Sequence, residues 1–304
     1  YVSDLRVFAL NSYENRVYQF GLEEQAPIVV KFYRPERWSD EQILEEHQFT
    51  QQLADTDIAV IPPWRNNAGD SLFHFEGYRF ALYPRRGGHA PALDDMDNLF
   101  QLGRLFGRLH LVGASAEYKF RPKLDVASFG DDSRRDILAD VIPASLRESY
   151  ATISEDLLHR VRLRFTEINP TYIRSHGDGH VGNILSRNDE TWLVDFDDSR
   201  MTPAIQDLWM FLSGEPDAQQ RAIMELVEGY QEFYDFNPRE LGLIEALRSL
   251  RIMHHAAWLA RRWQDPAFPK AFPWFNTERY WGEHILQLRE QLALMQEPPL
   301  RMPY

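Results

Sequence analysis

The segment S-H-G-D-G-H-V-G-N-I-L at residues 175–185, followed by W-L-V-D-F-D-D at 192–198, decides the fold of this chain. It contains the pattern H-x-D-x-x-x-x-N, formed by His176, Asp178 and Asn183. Asp195 follows twelve residues after Asn183, at the end of a short apolar run. A single His-Gly-Asp is usually a turn, and an aspartate after a strand is usually a turn former or helix cap. The order and spacing of all four residues together favour a functional loop.

The side chains of this segment suit the transfer of a phosphoryl group. That reaction needs a carboxylate to receive the proton of the attacking hydroxyl, and magnesium held by oxygen ligands to neutralise the phosphates. Asp178 and Asp195 are therefore the predicted catalytic residues, with Asp178 as proton acceptor. Asn183 and Asp195 are the predicted magnesium ligands, and the amide of Asn183 can also hold Asp178 in place. The spacing matches the catalytic loop of kinase-type phosphotransferases.

Upstream, I-V-V-K-F at 28–32 reads as a strand ending near a lysine. We predict that Lys31 contacts the α- and β-phosphates of ATP, as the strand lysine of kinases does. Its expected partner is Glu46, which shares the inward face of the next predicted helix with Phe49; Glu45 remains the competing candidate. By itself, a lysine in a strand is usually a solvated charge at a sheet edge.

The segment L-N-S-Y-E-N-R-V-Y at 10–18 stands where a kinase would have its glycine-rich phosphate loop, but it contains no glycine. Its small polar residues, Asn11, Ser12 and Asn15, favour turns and can donate hydrogen bonds to phosphate. We predict Ser12 as an ATP contact. An ordinary β-turn is an equally weighted alternative.

The composition excludes several classes of protein. The chain has 304 residues, of which 44% are apolar and 26% charged, as in an ordinary globular protein of about two lobes. The absence of cysteine rules out thiol catalysis, thiolate zinc sites and iron–sulfur clusters. With 33 Lys+Arg against 46 Asp+Glu, the formal charge is −13, which argues against binding to nucleic acid phosphates.

No stretch approaches the roughly 18 consecutive apolar residues of a membrane helix, and the first ten residues lack a secretory signal. We therefore expect a soluble, cytoplasmic protein that does not bind membranes, and we expect it to be a monomer. The chain opens at Tyr1 and not at a methionine, so we also expect further residues before it.

We predict a bilobal α+β fold of the protein-kinase type. A small lobe with an antiparallel sheet is expected at residues 1–84 and a larger, mostly helical lobe at 85–304. The boundary is placed at P-R-R-G-G, residues 84–88, because proline and glycine there cannot continue a sheet.

Alternating apolar residues predict strands, and a period of 3.6 predicts helices. The predicted strands are 13–20 and 27–32, forming a hairpin, then 71–75, 78–83, 184–185 and 191–196. The first predicted helix is 39–53, capped by Ser39 and Gln42. A second begins at Met96, and its Gly103 and Gly107 permit close contact with another helix. The remaining predicted helices are 146–165, 205–212, 219–234, 241–263 and 280–295. Residues 117–136 are predicted to form a loop.

Together these motifs resemble the aminoglycoside phosphotransferase and choline kinase branch of the kinase-like fold, whose catalytic loop reads H-G-D-x-H-x-x-N. More specifically, the chain resembles the bacterial stress response kinase A family, and the resemblance extends over nearly the whole chain. It is carried by L-N-S-Y-E-N-R-V-Y-Q-F at 10–20, V-V-K-F-Y-R-P-E-R-W at 29–38, I-L-E-E-H-Q-F at 43–49, I-Q-D-L-W-M at 205–210 and D-P-A-F-P-K at 265–270.

The resemblance implies an ATP- and magnesium-dependent Ser/Thr protein kinase of the bacterial cytoplasm that acts in the stress response. It implies Ser12 near ATP, Asp178 as proton acceptor, and Asn183 and Asp195 on magnesium. It also implies that the strand from Phe80 to Tyr83 presents backbone groups to adenine.

Two alternatives remain open, because the fold alone does not settle the acceptor. One is a kinase for a small hydroxyl compound such as an aminoglycoside, choline or homoserine. The other is a scaffold that senses nucleotide without catalysis.

Overall fold

The computed structural model describes residues 2–10, 12–188 and 190–302; Asn11, predicted in the phosphate-binding turn, lies outside them. The strands are β1 (Ser3–Leu10), β2 (Arg16–Leu22), β3 (Gln25–Phe32), β4 (Phe73–Phe75), β5 (Tyr78–Pro84), β6 (Ile173–Ser175), β7 (Ile184–Arg187), β8 (Glu190–Leu193) and β9 (Arg200–Thr202). The helices are α1 (Asp40–Asp55), α2 (Met96–Gly113), α3 (Asp132–Asp140), α4 (Arg147–Ile168), α5 (Pro216–Gln231), α6 (Ile244–Arg262), α7 (Ala267–Ala271) and α8 (Glu278–Leu294).

The first five strands form an antiparallel sheet in the order β1-β2-β3-β5-β4. Alternation along β3 places Ile28 and Val30 on one face, where they pack with Leu22 in an apolar cluster. Lys31 therefore faces the opposite side, and the register sets it beside Ala81 of β5. The predicted α+β fold with an N-terminal antiparallel sheet is confirmed.

The described part of the chain contains three strands that the sequence pattern did not predict: β1 in the large sheet, and the short strands β6 and β9, which pair with each other. β1 pairs with β2 along an edge of the sheet, so the expected hairpin is part of a three-stranded meander. Leu5 and Phe8 of β1 are 86% and 56% exposed, and the strand lacks the one-sided burial that produces an alternating pattern. β2 begins at Arg16 and not at Tyr13, because the preceding residues form the turn.

Helix α1 begins at the predicted cap. The Ser39 hydroxyl accepts a hydrogen bond from the N–H of Gln42 over 3.3 Å, and the Gln42 side chain accepts from the N–H of Ser39 over 2.9 Å. This capping box satisfies two amides that the first helical turn leaves unpaired. The helix buries Ile43, Phe49 and Leu53, so its inward face is the one that the periodicity predicts.

Helices α2 and α5 pack closely through glycine. A Cβ at Gly103 would lie 2.0 Å from the carbonyl oxygen of Leu226, and one at Gly107 would lie 2.4 Å from that of Tyr230. Only a residue without a side chain permits this approach of two backbones. The close helix contact predicted from the two glycines is confirmed.

Two predicted segments are wrong. The loop expected over 117–136 contains a π-helical turn, Ala127–Asp131, that continues into α3; Asp125 caps it by accepting from the N–H of Ser128 over 2.7 Å. The helix expected over 205–212 is replaced by short 3₁₀ turns at Ala204–Asp207 and Trp209–Phe211. Here the N–H of Ile205 donates to the buried carboxylate of Glu240 over 3.1 Å, which supplies the acceptor that the backbone does not provide for this first amide.

The described residues separate into two compact units. The first runs as far as Pro122 and includes Ile173–Thr202 and Met210–Phe236; it holds the sheet, the short strands β6–β9, α1, α2 and α5. The second holds α3, α4 and α6–α8. All of the predicted site residues lie in the first unit, and the predicted division after residue 84 stays a prediction. No helix in the described part of the chain is both long and apolar enough to cross a lipid bilayer.

Candidate active site

The H-x-D-x-x-x-x-N loop lies between β6 and the β7–β8 hairpin, with a 3₁₀ turn at Val181–Asn183 leading into β7. The N–H of Val194 donates to the backbone carbonyl of Asn183 over 3.0 Å, which extends the pairing of the hairpin by one step. Asn183 and Asp195 therefore lie at the same end of the hairpin, as the predicted magnesium site requires.

Asn183 also holds the backbone that carries Asp178. Its Nδ2 donates to the carbonyl oxygen of Asp178 over 3.0 Å and lies 3.5 Å from Oδ2 of the same residue. Gly177 precedes Asp178 with a φ of +83°, and a Cβ there would lie 2.2 Å from the carbonyl oxygen of Asp198. Glycine is therefore required for the turn that presents the Asp178 carboxylate, whose side chain is 23% exposed.

His176 links this loop to the strand before Asp195. Its Nε2 lies 2.9 Å from the carbonyl oxygen of Val194, and its ring packs 4.5 Å from that of Phe196. Because a carbonyl oxygen can only accept, Nε2 carries the proton of this bond. His176 therefore connects the loop that carries Asp178 to the segment that carries Asp195.

Lys31 is buried and lies between two carboxylates. Its Nζ is 3.0 Å from Oδ1 of Asp195 and 2.9 Å from Oδ1 of Asp197. Burial acts to lower the pKa of Lys31, but the two carboxylates raise it well above its ordinary value, so the amine stays charged. Asp195 has left-handed backbone angles (φ 60°, ψ 68°) and a side chain that is 56% exposed, which leaves its carboxylate accessible to a ligand.

Arg37, which the sequence analysis missed, holds the acidic segment after Asp195. Its guanidinium forms ion pairs with Asp197 and, over 2.9 Å, with Asp198; Arg200 donates to the same oxygen of Asp198 over 2.7 Å. Burial acts to raise the pKa of Asp197, but Lys31 and Arg37 outweigh it and hold that pKa at about 2. No local pattern marks Arg37, because its acidic partner lies 161 positions away.

The expected ion pair between Lys31 and Glu46 is not formed between these two described residues. Glu46 is buried, its Oε1 accepts from the hydroxyl of Thr50 over 3.1 Å, and burial raises its pKa. The competing candidate, Glu45, lies elsewhere: its carboxylate accepts from three successive backbone amides at residues 119–121, over 2.6 to 2.9 Å. Of the two glutamates, Glu46 is the one that faces the Lys31 side of the sheet.

One cavity of about 250 Å³ brings the predicted nucleotide contacts together. It is lined by Ser12, Lys31, Glu46, Tyr83 and Asp195, and also by Pro84, Arg86 and Phe196. Asp178 and Asn183 lie outside this lining, on the neighbouring loop. A larger cavity of about 680 Å³ lies at the far end of the β7–β8 hairpin and is lined by none of the predicted residues.

The turn that carries Ser12 is ordered by polar side chains. The N–H of Asn15 donates to the Ser12 hydroxyl over 3.3 Å, and the buried Asn15 side chain accepts from the N–H of Arg34 over 3.1 Å. The Arg34 guanidinium in turn donates to the carbonyl oxygen of Glu14 over 3.0 Å. These contacts hold the turn without the glycines of a typical phosphate loop.

The donor set fits a magnesium ion that is shared with a phosphate ligand. Asn183 uses its amide nitrogen toward Asp178, so its neutral Oδ1 is the atom it can offer a cation, and Asp195 offers an accessible carboxylate. Among the described residues, no group of three or more His, Cys, Asp or Glu side chains could hold a metal by itself. Magnesium commonly binds through one or two protein ligands together with phosphates and water, so this sparse set suits it.

Comparison of sequences relates the chain to known enzymes. Residues 5–244 match the phosphotransferase enzyme family. The chain is 43% identical over 294 residues to stress response kinase A of Escherichia coli strain K12, covering 96% of this chain and 89% of that protein. It is also 43% identical over 295 residues to the serine/threonine protein kinase RdoA of Salmonella typhimurium, with the same coverage of 96% and 89%.

Solved structures share the fold. Amicoumacin kinase hAmiN, in complex with AMP-PNP, Ca²⁺ and Ami, has a TM-score of 0.74 and 18% identity over 99% of this chain and 91% of its own. A microcompartment-associated aminopropanol kinase has the same TM-score of 0.74 and 18% identity, over 97% of this chain and 93% of its own. At such identities the likeness concerns the fold.

Proposed function

This chain belongs to the phosphotransferase enzyme family and is a kinase, and we propose that it transfers the γ-phosphoryl group of ATP to a serine or threonine of a protein. The relationship to stress response kinase A, expected from the sequence motifs, is confirmed. A relative named as a serine/threonine protein kinase supports the choice of a protein acceptor. The proposed setting is the stress response, after the name of the Escherichia coli relative, and the bacterial cytoplasm, as the resemblance of the sequence implies.

The observation that carries the proposal is the position of Lys31. Its amine lies 3.0 Å from the accessible carboxylate of Asp195, in a cavity that Ser12 also lines. A fixed cation beside an accessible carboxylate suits a triphosphate with its metal ion, since the lysine amine can bind the phosphate oxygens and the carboxylate can bind the metal.

The nucleotide is assigned to this cavity. Lys31 would contact the α- and β-phosphates, and the turn at Ser12 would cover them. We place the adenine contact just after the strand 80–83 that was predicted for it, because backbone groups of that strand already have partners. β5 pairs with β3 as far as Pro84, and the N–H of Trp64 donates to the carbonyl oxygen of Leu82 over 2.7 Å. Pro84 and Arg86, at and beyond the end of that pairing, line the cavity.

Asn183 and Asp195 would hold magnesium, which neutralises phosphate charge when it is bound. Asp178 receives the proton of the acceptor hydroxyl as that oxygen forms a bond to the γ-phosphorus. The bond between the γ-phosphorus and the bridging oxygen of ADP breaks in the same displacement. ADP and the phosphorylated acceptor leave, and Asp178 returns its proton to solvent.

The first test follows the label from γ-³²P-ATP and Mg²⁺ in a cell extract to which the protein is added. We expect labelled phosphoserine or phosphothreonine in the protein fraction. Label confined to the metabolite fraction would instead identify a small-molecule kinase. The solved structures named amicoumacin kinase and aminopropanol kinase belong to that class. No transfer to either fraction would leave the nucleotide-sensing scaffold.

The matched variant is Asp178→Ala. It should keep the affinity for Mg·ATP but lower kcat by about 10²- to 10⁴-fold, the usual contribution of a general base. The measurement is steady-state transfer together with nucleotide binding by calorimetry. Wild-type turnover by this variant would remove Asp178 from the proposed reaction.

A further inference from the structure

His180 contacts both the proposed proton acceptor and the backbone of its loop. Its Nε2 lies 3.2 Å from Oδ2 of Asp178, and its Nδ1 lies 2.9 Å from the backbone nitrogen of Gly182. The N–H of Gly182 can only donate, so Nδ1 must accept and carries no proton. In the neutral ring the single proton is then on Nε2, the nitrogen that lies 3.2 Å from Oδ2 of Asp178.

The backbone is shaped to receive this ring. A Cβ at Gly182 would lie 2.6 Å from Cε1 and 2.9 Å from Nδ1 of His180, so any side chain there would displace the imidazole. His180 also serves as the N-cap of the turn Val181–Asn183, with extended backbone angles. The ring is therefore held at Nδ1, with Nε2 at 3.2 Å from Oδ2 of Asp178, and its side chain is 36% exposed.

Two side chains contact the same carboxylate oxygen of Asp178. The amide of Asn183 lies 3.5 Å from Oδ2, at the limit of a hydrogen bond, and Nε2 of His180 is closer at 3.2 Å. Asn183 directs its shorter bond, of 3.0 Å, to the backbone carbonyl of Asp178. Asn183 therefore fixes the backbone at this position, and Nε2 of His180 is the nearer of these two side-chain nitrogens to the carboxylate oxygen.

We propose that His180 is a positioning residue that donates its Nε2 proton to Asp178 and thereby presents the carboxylate to the acceptor hydroxyl in one orientation. This inference rests on the proposed function of Asp178 as proton acceptor. It predicts that His180 affects the transfer step and not the binding of nucleotide, since the ring lies on the catalytic loop and not in the lining of the nucleotide cavity.

Two conservative substitutions separate the two nitrogens. In His180→Asn, the amide oxygen takes the place of Nδ1 and keeps the bond from Gly182, but the side chain is too short to reach Asp178. In His180→Gln, the amide nitrogen takes the place of Nε2 and keeps the donor to Asp178. An effect on folding of the turn should be smaller in the asparagine variant, because asparagine is a good N-cap.

We expect His180→Asn to lower kcat by about 10- to 100-fold with an unchanged KM for ATP, a loss in the range that misplacing a catalytic group produces. His180→Gln should restore kcat to within about threefold of the wild type. The control is His159→Asn on the exposed side of α4, which should leave both constants unchanged. Wild-type kcat in His180→Asn, or an equal loss in both variants, overturns the inference.

Two further measurements separate this inference from the proposed function. In an Asp178→Ala background, His180→Asn should cause no additional loss, and a full additional loss would show that His180 does not act through Asp178. Nitrogen-15 NMR of the imidazole needs no catalysis: the wild type should show the Nε2–H tautomer, with a resonance that moves in Asp178→Ala. The Nδ1–H tautomer, or a resonance that does not move, refutes the inference even if phosphoryl transfer is found.

Discussion

The carboxylates of the D-F-D-D segment, residues 195–198, have different surroundings and therefore different tasks. Asp195 is half exposed and meets Lys31, whereas Asp197 is buried between Lys31 and Arg37. A buried carboxylate is tolerated only where cations and hydrogen bonds compensate for its lost hydration. Asp197 thus stabilises the segment, and the exposed Asp195 is the carboxylate that we propose as a metal ligand.

At this scale we predict that Asp197→Asn lowers the free energy of unfolding at pH 7 by roughly 3 to 5 kcal/mol, because it leaves two buried cations without a shared counter-ion. The pKa of Asp197 in the folded protein, about 2, lies below its ordinary value of 3.8. The charged carboxylate therefore contributes stability that is complete above pH 3.8 and is lost as the pH falls toward 2.

Urea denaturation of the wild type and of Asp197→Asn between pH 7 and pH 2 measures this effect. The difference between the two proteins should shrink as the pH falls below about 4. Asp156→Asn, at an exposed position of α4, is the matched control and should change stability by less than about 0.5 kcal/mol. A difference that stays constant over the whole range would contradict the assignment.

At the scale of elements, the contact of α2 with α5 depends on the absence of side chains at its centre. Gly103→Ala should lower the free energy of unfolding by about 1 to 3 kcal/mol, since a methyl group would strike the Leu226 backbone at 2.0 Å and force the helices apart. The control is Gly282→Ala in α8, where no atom lies within 4 Å of the new Cβ.

The same chemical change should act in opposite directions at these two glycines. In Gly282→Ala, the gain in helix propensity should raise stability by about 0.5 to 1 kcal/mol. Thermal unfolding followed by circular dichroism measures both variants. Equal shifts of Tm with the same sign would show that α2 and α5 are not packed as closely as described.

Elements with a strong local signal could be predicted from the sequence. The Ser39–Gln42 capping box and the apolar face with Ile43 and Leu53 lie within a few turns of one helix, and α1 begins where they place it. β1 could not be predicted, because its apolar side chains are exposed and only its hydrogen bonds to β2 define it as a strand. The turn at 204–207 depends on Glu240, a residue distant in sequence.

The candidate site divides in the same way. The spacing from Asp178 to Asn183 is local, so one loop could be predicted to present both. The ion-pair partner of Lys31 depends on how α1 and the segment after β8 approach β3, which spacing does not show. Asp195 and Asp197 form the ion pairs with Lys31 that were expected of Glu46. Arg37 gains its role from a contact across space, which residue spacing does not encode, whereas the contact of His180 with Asp178 lies within the loop pattern itself.

At the scale of the whole molecule, the formal charge of −13 favours cationic acceptors. For the proposed protein kinase, we expect kcat/KM for a serine peptide flanked by lysine and arginine to exceed that for the same peptide flanked by glutamate by roughly tenfold at low salt. The ratio should approach one between 0.02 and 0.5 M ionic strength, as the screening length falls from about 20 to about 4 Å. A ratio that does not depend on salt would show that local contacts select the acceptor.

The glycine-free turn at Ser12 bears on which step limits the rate of turnover. Its hydrogen bonds to Asn15 and Arg34 are formed without nucleotide, so under the proposed function little conformational entropy would be lost when the turn covers the phosphates. This low entropic cost is the same for ADP as for ATP, because both carry the α- and β-phosphates. Under the proposed function, we therefore expect release of ADP, more than binding of ATP, to be the slow step of the cycle.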